Sequence, residues 1–434
     1  MTDPAGTGTS SSTSPTYAAT LDAADPLAAF RSEFVGAESS LVYFDGNSLG
    51  RPLAVTGERL RAFVDEAWGG RLIRGWDEGW YDLPLRLGDE IARVCLGAAP
   101  GQTTVGDSTT VLLYKLVRAA VDARPGRDEI VIDSDNFPTD RYIVEGIAAE
   151  RGLTVRWIPV EHDSGVDVEQ VREAVGDRTA VVVLSQVAYR SGHLADVEAI
   201  TPVVQDAGAL VVWDLCHSVG SVPVELDRWG VDLAVGCTYK YLNGGPGSPA
   251  FAYVAQRHLD GSAGPALRQP IQGWMGHADP FLMGPGYQPS GGIRRFISGT
   301  PAVVGMLAMQ DMLDLVDRAG MDAVRAKSRD LTSYAVDLAD AWLAEHGVTV
   351  ASPRDPDLRG GHVTLRHDRM REVTAALWER DVIPDYRDPG GLRIGLSPLS
   401  TSYAEVHAGM AAVRDVLAGG GASRAAQEHI LSGP

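Results

Sequence analysis

VDLAVGCTYKYLNGGPGSP, residues 231–249, opens as an apolar run with the character of a buried strand and ends in a turn crowded with glycine and proline. Between run and turn stands Lys240, flanked by Tyr239 and Tyr241. An ammonium where a buried strand ends is costly unless it snorkels, pairs with a carboxylate or is chemically engaged. Working outward, EIVID (129–133), LTVRWIP (153–159), AVVVLS (180–185) and ALVVWD (209–214) have the same strand character. RYIVEGIAAERG and DVEAITPVVQDAG lie between them, apolar at helical spacing and closed by glycine as a C-cap is. This alternation predicts an α/β fold with a wide, mainly parallel sheet. Its strand C-termini gather on one edge, where such sheets bind ligands.

After Pro301 the pattern changes. AVVGMLAMQDMLDLVDRAG reads as a long helix, followed by the strand GHVTLRH, the helix MREVTAALWERD, the strand GLRIGLS and the helix YAEVHAGMAAVRDVLA, a smaller α+β unit. The expected division is a disordered tail over 1–25, a segment over 26–60 that packs on the small unit or on an oligomer interface, a large domain over 61–305 and a small one over 306–434. The tail assignment rests on MTDPAGTGTSSSTSPTYAAT, rich in Ser, Thr, Pro and Gly and without apolar periodicity.

A net charge of −19 repels phosphate backbones and anionic lipid, so neither nucleic acid nor a membrane surface is an expected partner, and small molecules are. No apolar stretch has the ~18 residues of a membrane span, and the N-terminus lacks a basic region followed by an apolar core. Three cysteines, Cys95, Cys216 and Cys237, form no disulfide framework and no metal-ligand spacing, so a cytoplasmic setting without a bound metal is expected. Cys216, although next to His217, reads best as a small buried apolar residue.

Several polar residues stand where strands end. In GDSTTVLLYKLVRAA, Asp107, Ser108, Thr109 and Thr110 precede an apolar helix; each alone is a cap, and together they form a helix N-terminus suited to phosphate. The glycines that follow Lys240 are in the wrong order for a nucleotide P-loop. Asp214 ends the run VVWD, with His217 three residues on; a lone aspartate there would cap a turn. One chemistry uses all of these together: pyridoxal phosphate bonded to a lysine, an aspartate on the pyridine nitrogen and a helix end on the phosphate.

The residues around Lys240 resemble those of the kynureninase family. The likeness runs through FDGNSLG (44–50), DSTTV (107–111), DNFPTDRYI (135–143), the long block 213–251, IQGWMGHADPF (271–281), GGIRRFISGTPA (291–302) and LRIGLSPL (392–399). The resemblance implies fold type I of the pyridoxal-phosphate enzymes: a large domain with a mainly parallel seven-stranded sheet flanked by helices, and a small α+β C-terminal domain. It also implies a homodimer with active sites shared between subunits. By position, Lys240 resembles the lysine that carries the cofactor and Asp214 the partner of the ring nitrogen. Phe137 matches a residue stacked on the ring. Thr109 and Thr110 match phosphate-loop positions, Tyr239 a phosphate ligand and proton donor, and Asp140, Ser185 and His217 further cofactor contacts. Trp274 and Thr300 would complete the pocket. Arg393 resembles the arginine that forks onto the substrate α-carboxylate, a role suited to its geometry, and Ser48 and Trp76 fall at substrate positions.

The implied reaction is hydrolytic cleavage of the Cβ–Cγ bond of L-kynurenine to anthranilate and L-alanine, with Lys240 as the base at Cα. Trp76 and Thr300 match bacterial members, whereas animal members that prefer the 3-hydroxylated substrate resemble His and Asn there. An apolar pocket discriminates only weakly against an added hydroxyl. Trp76 also reads simply as an aromatic packing residue. A paralogue acting on a modified kynurenine, a class V aminotransferase and a non-catalytic member of the fold remain alternatives. A cysteine desulfurase would need a cysteine late in the chain, and none follows Cys237.

Overall fold

A computed structural model describes residues 12–419. Seven strands, Thr103–Val105 (β1), Glu129–Asp133 (β2), Thr154–Ile158 (β3), Thr179–Ser185 (β4), Leu210–Asp214 (β5), Leu233–Gly236 (β6) and Phe251–Val254 (β7), form one sheet in the order β1-β7-β6-β5-β4-β2-β3. Strands β3, β2, β4, β5 and β6 run parallel, and β7 is antiparallel to both its neighbours. The five strands expected from sequence are all present. The two unforeseen ones, β1 and β7, are only three and four residues long.

Alternation along the strands produces two cores. Val131, Val182, Leu184, Val211, Trp213 and Ala234 point to one face. Ile130, Ile132, Val181, Val183, Leu210, Val212, Leu233 and Val235 point to the other. Both faces are therefore covered, as a parallel sheet requires, and each fully buried Val or Leu contributes ~1.5–3 kcal/mol. The helix Pro138–Arg151 ends on Gly152 in the left-handed region (φ 67), and Val197–Asp206 begins on Asp196, whose side chain accepts from the Ala199 amide.

The second sheet comprises Thr349–Val350 (β8), His362–Arg366 (β9), Asp385–Arg387 (β10) and Gly391–Gly395 (β11), antiparallel in the order β10-β11-β9-β8. Its core includes Phe44, Leu331, Leu338, Val363, Leu377, Ile394, Val406 and Met410. The helix Val303–Ala319 packs on the large core through Met306, Met309, Leu313 and Val316, and core membership changes within the helix Met321–Trp342, between Val324 and Leu331. That changeover falls later than the expected 305/306 division. Residues 26–60 are tied to the small sheet: Val42–Tyr43 pairs in parallel with Val382–Ile383, and Asp45 bridges Gly395.

The expectation of an unpacked tail needs correction. Residues 1–11 lie outside the described residues, as do 420–434 of the C-terminal unit, but Pro15–Ala24 is a helix. Ser14 caps it by accepting from the Tyr17 amide at 3.1 Å, proline occupies the first turn, Ala18 is buried, and Tyr17 meets the Tyr334 ring at 6.0 Å. Asp22 in turn accepts from the amides of Tyr403 and Ala404, at the start of the C-terminal helix. The serine and proline that suggested disorder are here an N-cap and an N1 residue.

Candidate active site

Four polar groups meet where the central strands end. Asp133, Ser185 and Asp214 are the last residues of β2, β4 and β5, with Ser185 and Asp214 paired in register, and Lys240 follows the end of β6 by four residues. Asp214 Oδ1 accepts from the Cys216 amide at 2.8 Å, and Ser185 Oγ lies 3.5 Å from Asp214 Oδ2 and 3.1 Å from Asn136 Oδ1. Through Cys216, whose Sγ is 3.9 Å from Thr109 Oγ1, the Asp214 loop touches the helix Thr109–Asp122. Ser108 caps that helix, and the first-turn amides at Thr109 and Thr110 have no carbonyl four residues back to bind.

The glycine-rich turn holds Lys240 in place. Asn243 (φ 49), Gly245 (φ 84) and Gly247 (φ 76) are left-handed, and a Cβ on Gly244 would stand 2.3 Å from Ser248 Oγ. The chain has three lysines. Lys115 pairs with Asp107 at 2.6 Å and Lys327 with Asp25 at 2.6 Å, whereas Lys240 Nζ faces His217 Nε2 at 2.9 Å. Burial and the charges of Lys240 and Arg393 push the His217 pKa well below its ordinary value, so the ring is neutral and accepts at Nε2. Its Nδ1 is buried without a protein partner. The Lys240 ammonium also lies 5.9 Å from the Phe137 ring centroid and 6.0 Å from that of Tyr239, and Phe137 meets Tyr189 edge-on. Burial, with the Cys237 and Cys216 thiols and Asp214 adding to it, pushes the Tyr239 hydroxyl up and keeps it a proton donor.

A further carboxyl, Asp140, crowds this edge beside Asp133. Burial, reinforced by Asp214 and Asp133, raises Asp140 well above the usual carboxylate range, and its Oδ2 is buried without a partner. Asp133 is raised by burial to about 7 despite a hydrogen bond from Asn136.

On the far side of the site lies Arg393, 1% exposed, in β11. It donates to the Tyr189 carbonyl at 2.8 Å and to Ser48 Oγ at 2.7 Å, and pairs with Asp385 Oδ2 at 2.6 Å. The 45–51 segment connects the two halves, since the Gly50 amide donates to the Tyr239 carbonyl at 2.9 Å and Asn243 Nδ2 to the Arg51 carbonyl at 2.6 Å.

The structure thus gathers Ser48, Thr109, Phe137, Asp140, Ser185, Asp214, His217, Tyr239, Lys240 and Arg393, with Thr110 beside Thr109. It does not bring Trp76, Trp274 or Thr300 to them within one chain: no hydrogen bond or ring contact makes that link among the described residues. Trp76 meets the Trp80 ring edge-on and, with Phe63 and Trp68, lines an apolar cavity beside Pro301, next to the exposed Thr300. Trp274 is half-exposed and meets Phe281. Sequence reasoning missed Asp133, Tyr189, His362 and Asp385. His362, whose ring centroid is 5.4 Å from that of His217, sits inside a stretch that reads only as a strand.

Comparison with known proteins decides the family. Residues 324–413 match the family "Kynureninase C-terminal domain", and 96–225 match the DegT/DnrJ/EryC1/StrS aminotransferase family. The kynureninase of Pseudomonas fluorescens is 42% identical over 394 residues, 89% of this chain and 91% of its own. That of Burkholderia pseudomallei (strain 1106a) is 41% identical over 404 residues, 92% and 94% of the two chains. This chain belongs to the kynureninase family.

Among solved structures, a C-DES mutant with glycine covalently linked to its PLP cofactor superposes with a TM-score of 0.76 at 20% identity, covering 89% of this chain and 99% of its own. The cysteine desulfurase of Thermococcus onnurineus NA1 gives 0.76 at 17% identity, covering 90% and 98%. At such identities these establish the shared α/β fold alone. In this family member the donor set fits pyridoxal phosphate. Asp214 suits a ring N–H, the unpartnered Asp140 Oδ2 and His217 Nδ1 are polar atoms awaiting partners, and the helix start at Thr109 suits a phosphate.

Proposed function

We propose that this protein is a pyridoxal-phosphate-dependent hydrolase that cleaves the Cβ–Cγ bond of L-kynurenine to give anthranilate and L-alanine. The observation that carries this reading is Lys240, the one lysine of three that a neutral histidine rather than a carboxylate meets, at the end of β6 beside Asp214, in a chain 42% identical to a kynureninase.

When bound, the cofactor supplies an electron sink for negative charge developing at Cα and Cβ. Lys240 would hold the cofactor's aldehyde carbon, and its amine would be the base that takes the Cα proton. His217, neutral and 2.9 Å away, accepts from the ammonium and keeps its Nζ aimed into the site. Asp214 would face the ring nitrogen and hold its proton. Asp140, held as the acid by burial next to Asp214, donates rather than accepts. Thr109, Thr110 and Tyr239 would bind the phosphate, with Tyr239 also the donor to the substrate carbonyl oxygen as water adds. Phe137 would lie against one face of the ring, and Ser185 steadies Asp214. Arg393, with Ser48, receives the α-carboxylate.

Trp76, Trp274 and Thr300 act in a homodimer, each arriving from the partner copy. The exposed Trp274, Phe281, Leu282 and Met283, and the exposed Trp68, Leu72 and Ile73, support that assembly. Trp76 and Thr300 favour L-kynurenine over its 3-hydroxylated form. No helix among the described residues is long and apolar enough to cross a membrane, and the three cysteines are buried thiols, which supports a cytoplasmic enzyme. Incubation with L-kynurenine should release fluorescent anthranilate from wild type and none from Lys240→Ala; kynurenic acid as the sole product would instead make the enzyme a transaminase.

A further inference from the structure

We propose that Asp385 is a positioning residue for substrate binding: an internal carboxylate paired with Arg393 that must give way to the carboxylate of the amino-acid substrate. The inference rests on the reading of Arg393 as the α-carboxylate site.

A guanidinium has five N–H donors, and a carboxylate fork needs two adjacent ones. In Arg393, Nη1 donates to the Tyr189 carbonyl and Nη2 to Ser48 Oγ, while Asp385 Oδ2 stands 2.6 Å from Nη2 as an ion pair outside hydrogen-bond geometry and has no hydrogen-bond partner. With the Asn47 amide oxygen turned toward it, Nε donates there at 3.0 Å, while the Asn47 nitrogen donates to Asp45. One donor on Nη1 and one on Nη2 are left, the adjacent pair a fork needs, and Asp385 Oδ2 stands against the second of them. Asp385 is the anion standing where an incoming carboxylate would seat, and the two anions cannot share one buried cation without strong repulsion. That edge is already crowded with negative charge, as Asp45 is raised to about 6 by burial and by Asp385.

Register and a second cation give Asp385 somewhere to go. It sits directly opposite Arg393 on β10, and Arg387, two residues on along the same face, has Nε 3.0 Å from the same Oδ2. The Arg387 side chain is 39% exposed against 2% for that of Arg393, so it can carry Asp385 outward while Arg393 stays fixed.

The test measures binding to the holoenzyme by calorimetry with two probes: desamino-kynurenine, which keeps the carboxylate but has no amine, and the decarboxylated amine. Asp385→Asn should tighten the acid roughly tenfold, a competing anion no longer having to be displaced from Arg393, and leave the amine unchanged. Arg387→Gln, which removes the alternative partner, should weaken the acid. Acid binding that is unchanged or weaker in Asp385→Asn overturns the proposal, since a merely structural carboxylate would loosen Arg393. Should Asp385→Asn not fold, Arg387→Gln decides, and equal or tighter acid binding there overturns it. Arg393→Lys separates the two claims. If it weakens the acid while Asp385→Asn fails to tighten it, only the role of Asp385 falls; if it leaves the acid unaffected, the carboxylate site and the proposal fall together.

Discussion

Replacing Gly50 by alanine puts a methyl group against the backbone that carries the reactive lysine. A Cβ at this position would stand 2.4 Å from the Lys240 carbonyl oxygen and 2.4 Å from Asn243 Cγ. Both lie well inside the 3.0 Å that real Cβ atoms respect. Neither neighbour is a free side-chain end: the carbonyl accepts from the Asn243 amide at 3.0 Å, and Asn243 Nδ2 is held by Arg51. The strain is relieved only by moving the Lys240 turn or the 45–51 segment, at about 1–3 kcal/mol for overpacking a close-fitted site. Either movement shifts Nζ relative to Asp214, and a displacement near 1 Å costs about 10²-fold in rate. Gly50→Ala is therefore expected to fold, to lose roughly 10²-fold in kcat/KM for anthranilate release, and to hold its cofactor less tightly by absorbance titration. A variant with wild-type Tm and kcat/KM would refute the close contact between this glycine and the lysine turn.

Asp214→Asn and Asp140→Asn should differ sharply. Asn keeps the donor of a protonated Asp140, so its kcat should fall less than about tenfold, whereas losing the charge of Asp214 should cost at least ~10³-fold; both are read from steady-state kinetics. Asp133, raised to about 7, is ionised in the unfolded chain above its ordinary value but resists ionisation when folded. Its burial therefore lowers stability progressively from about pH 4 to pH 7, and Asp133→Asn should unfold later than wild type at pH 8, by up to about 4 kcal/mol, with no gain near pH 4. Trp76→His combined with Thr300→Asn should raise the kcat/KM ratio of 3-hydroxykynurenine to kynurenine by roughly tenfold or more in a competition assay.

The large sheet was legible because its buried strands are β-branched runs that end in conspicuous polar residues: Asp214 and Lys240 stand out against VVWD and VDLAVG. Strands β1 and β7 escaped notice because three or four residues carry too little pattern. The helix Met321–Trp342 spreads charge along its whole length, so its apolar stripe of Val324, Leu331, Ala335 and Leu338 does not announce itself. The surroundings of Arg393 were the least legible part. Ser48, Tyr189 and Asp385 reach it from three distant segments, and only the packing of both sheets around residues 45–51 brings them together. The coupling of Asp140 to Asp133 and Asp214 was hidden likewise, since it depends on which strands are neighbours.

The central claim is that Lys240, rather than Lys115 or Lys327, holds the cofactor. Borohydride reduction of the holoenzyme followed by peptide mapping measures this most directly. A pyridoxyl mass on the peptide bearing Lys240, absent from Lys240→Ala, is the expected result; the label on Lys115 or Lys327, or its survival in Lys240→Ala, would contradict it.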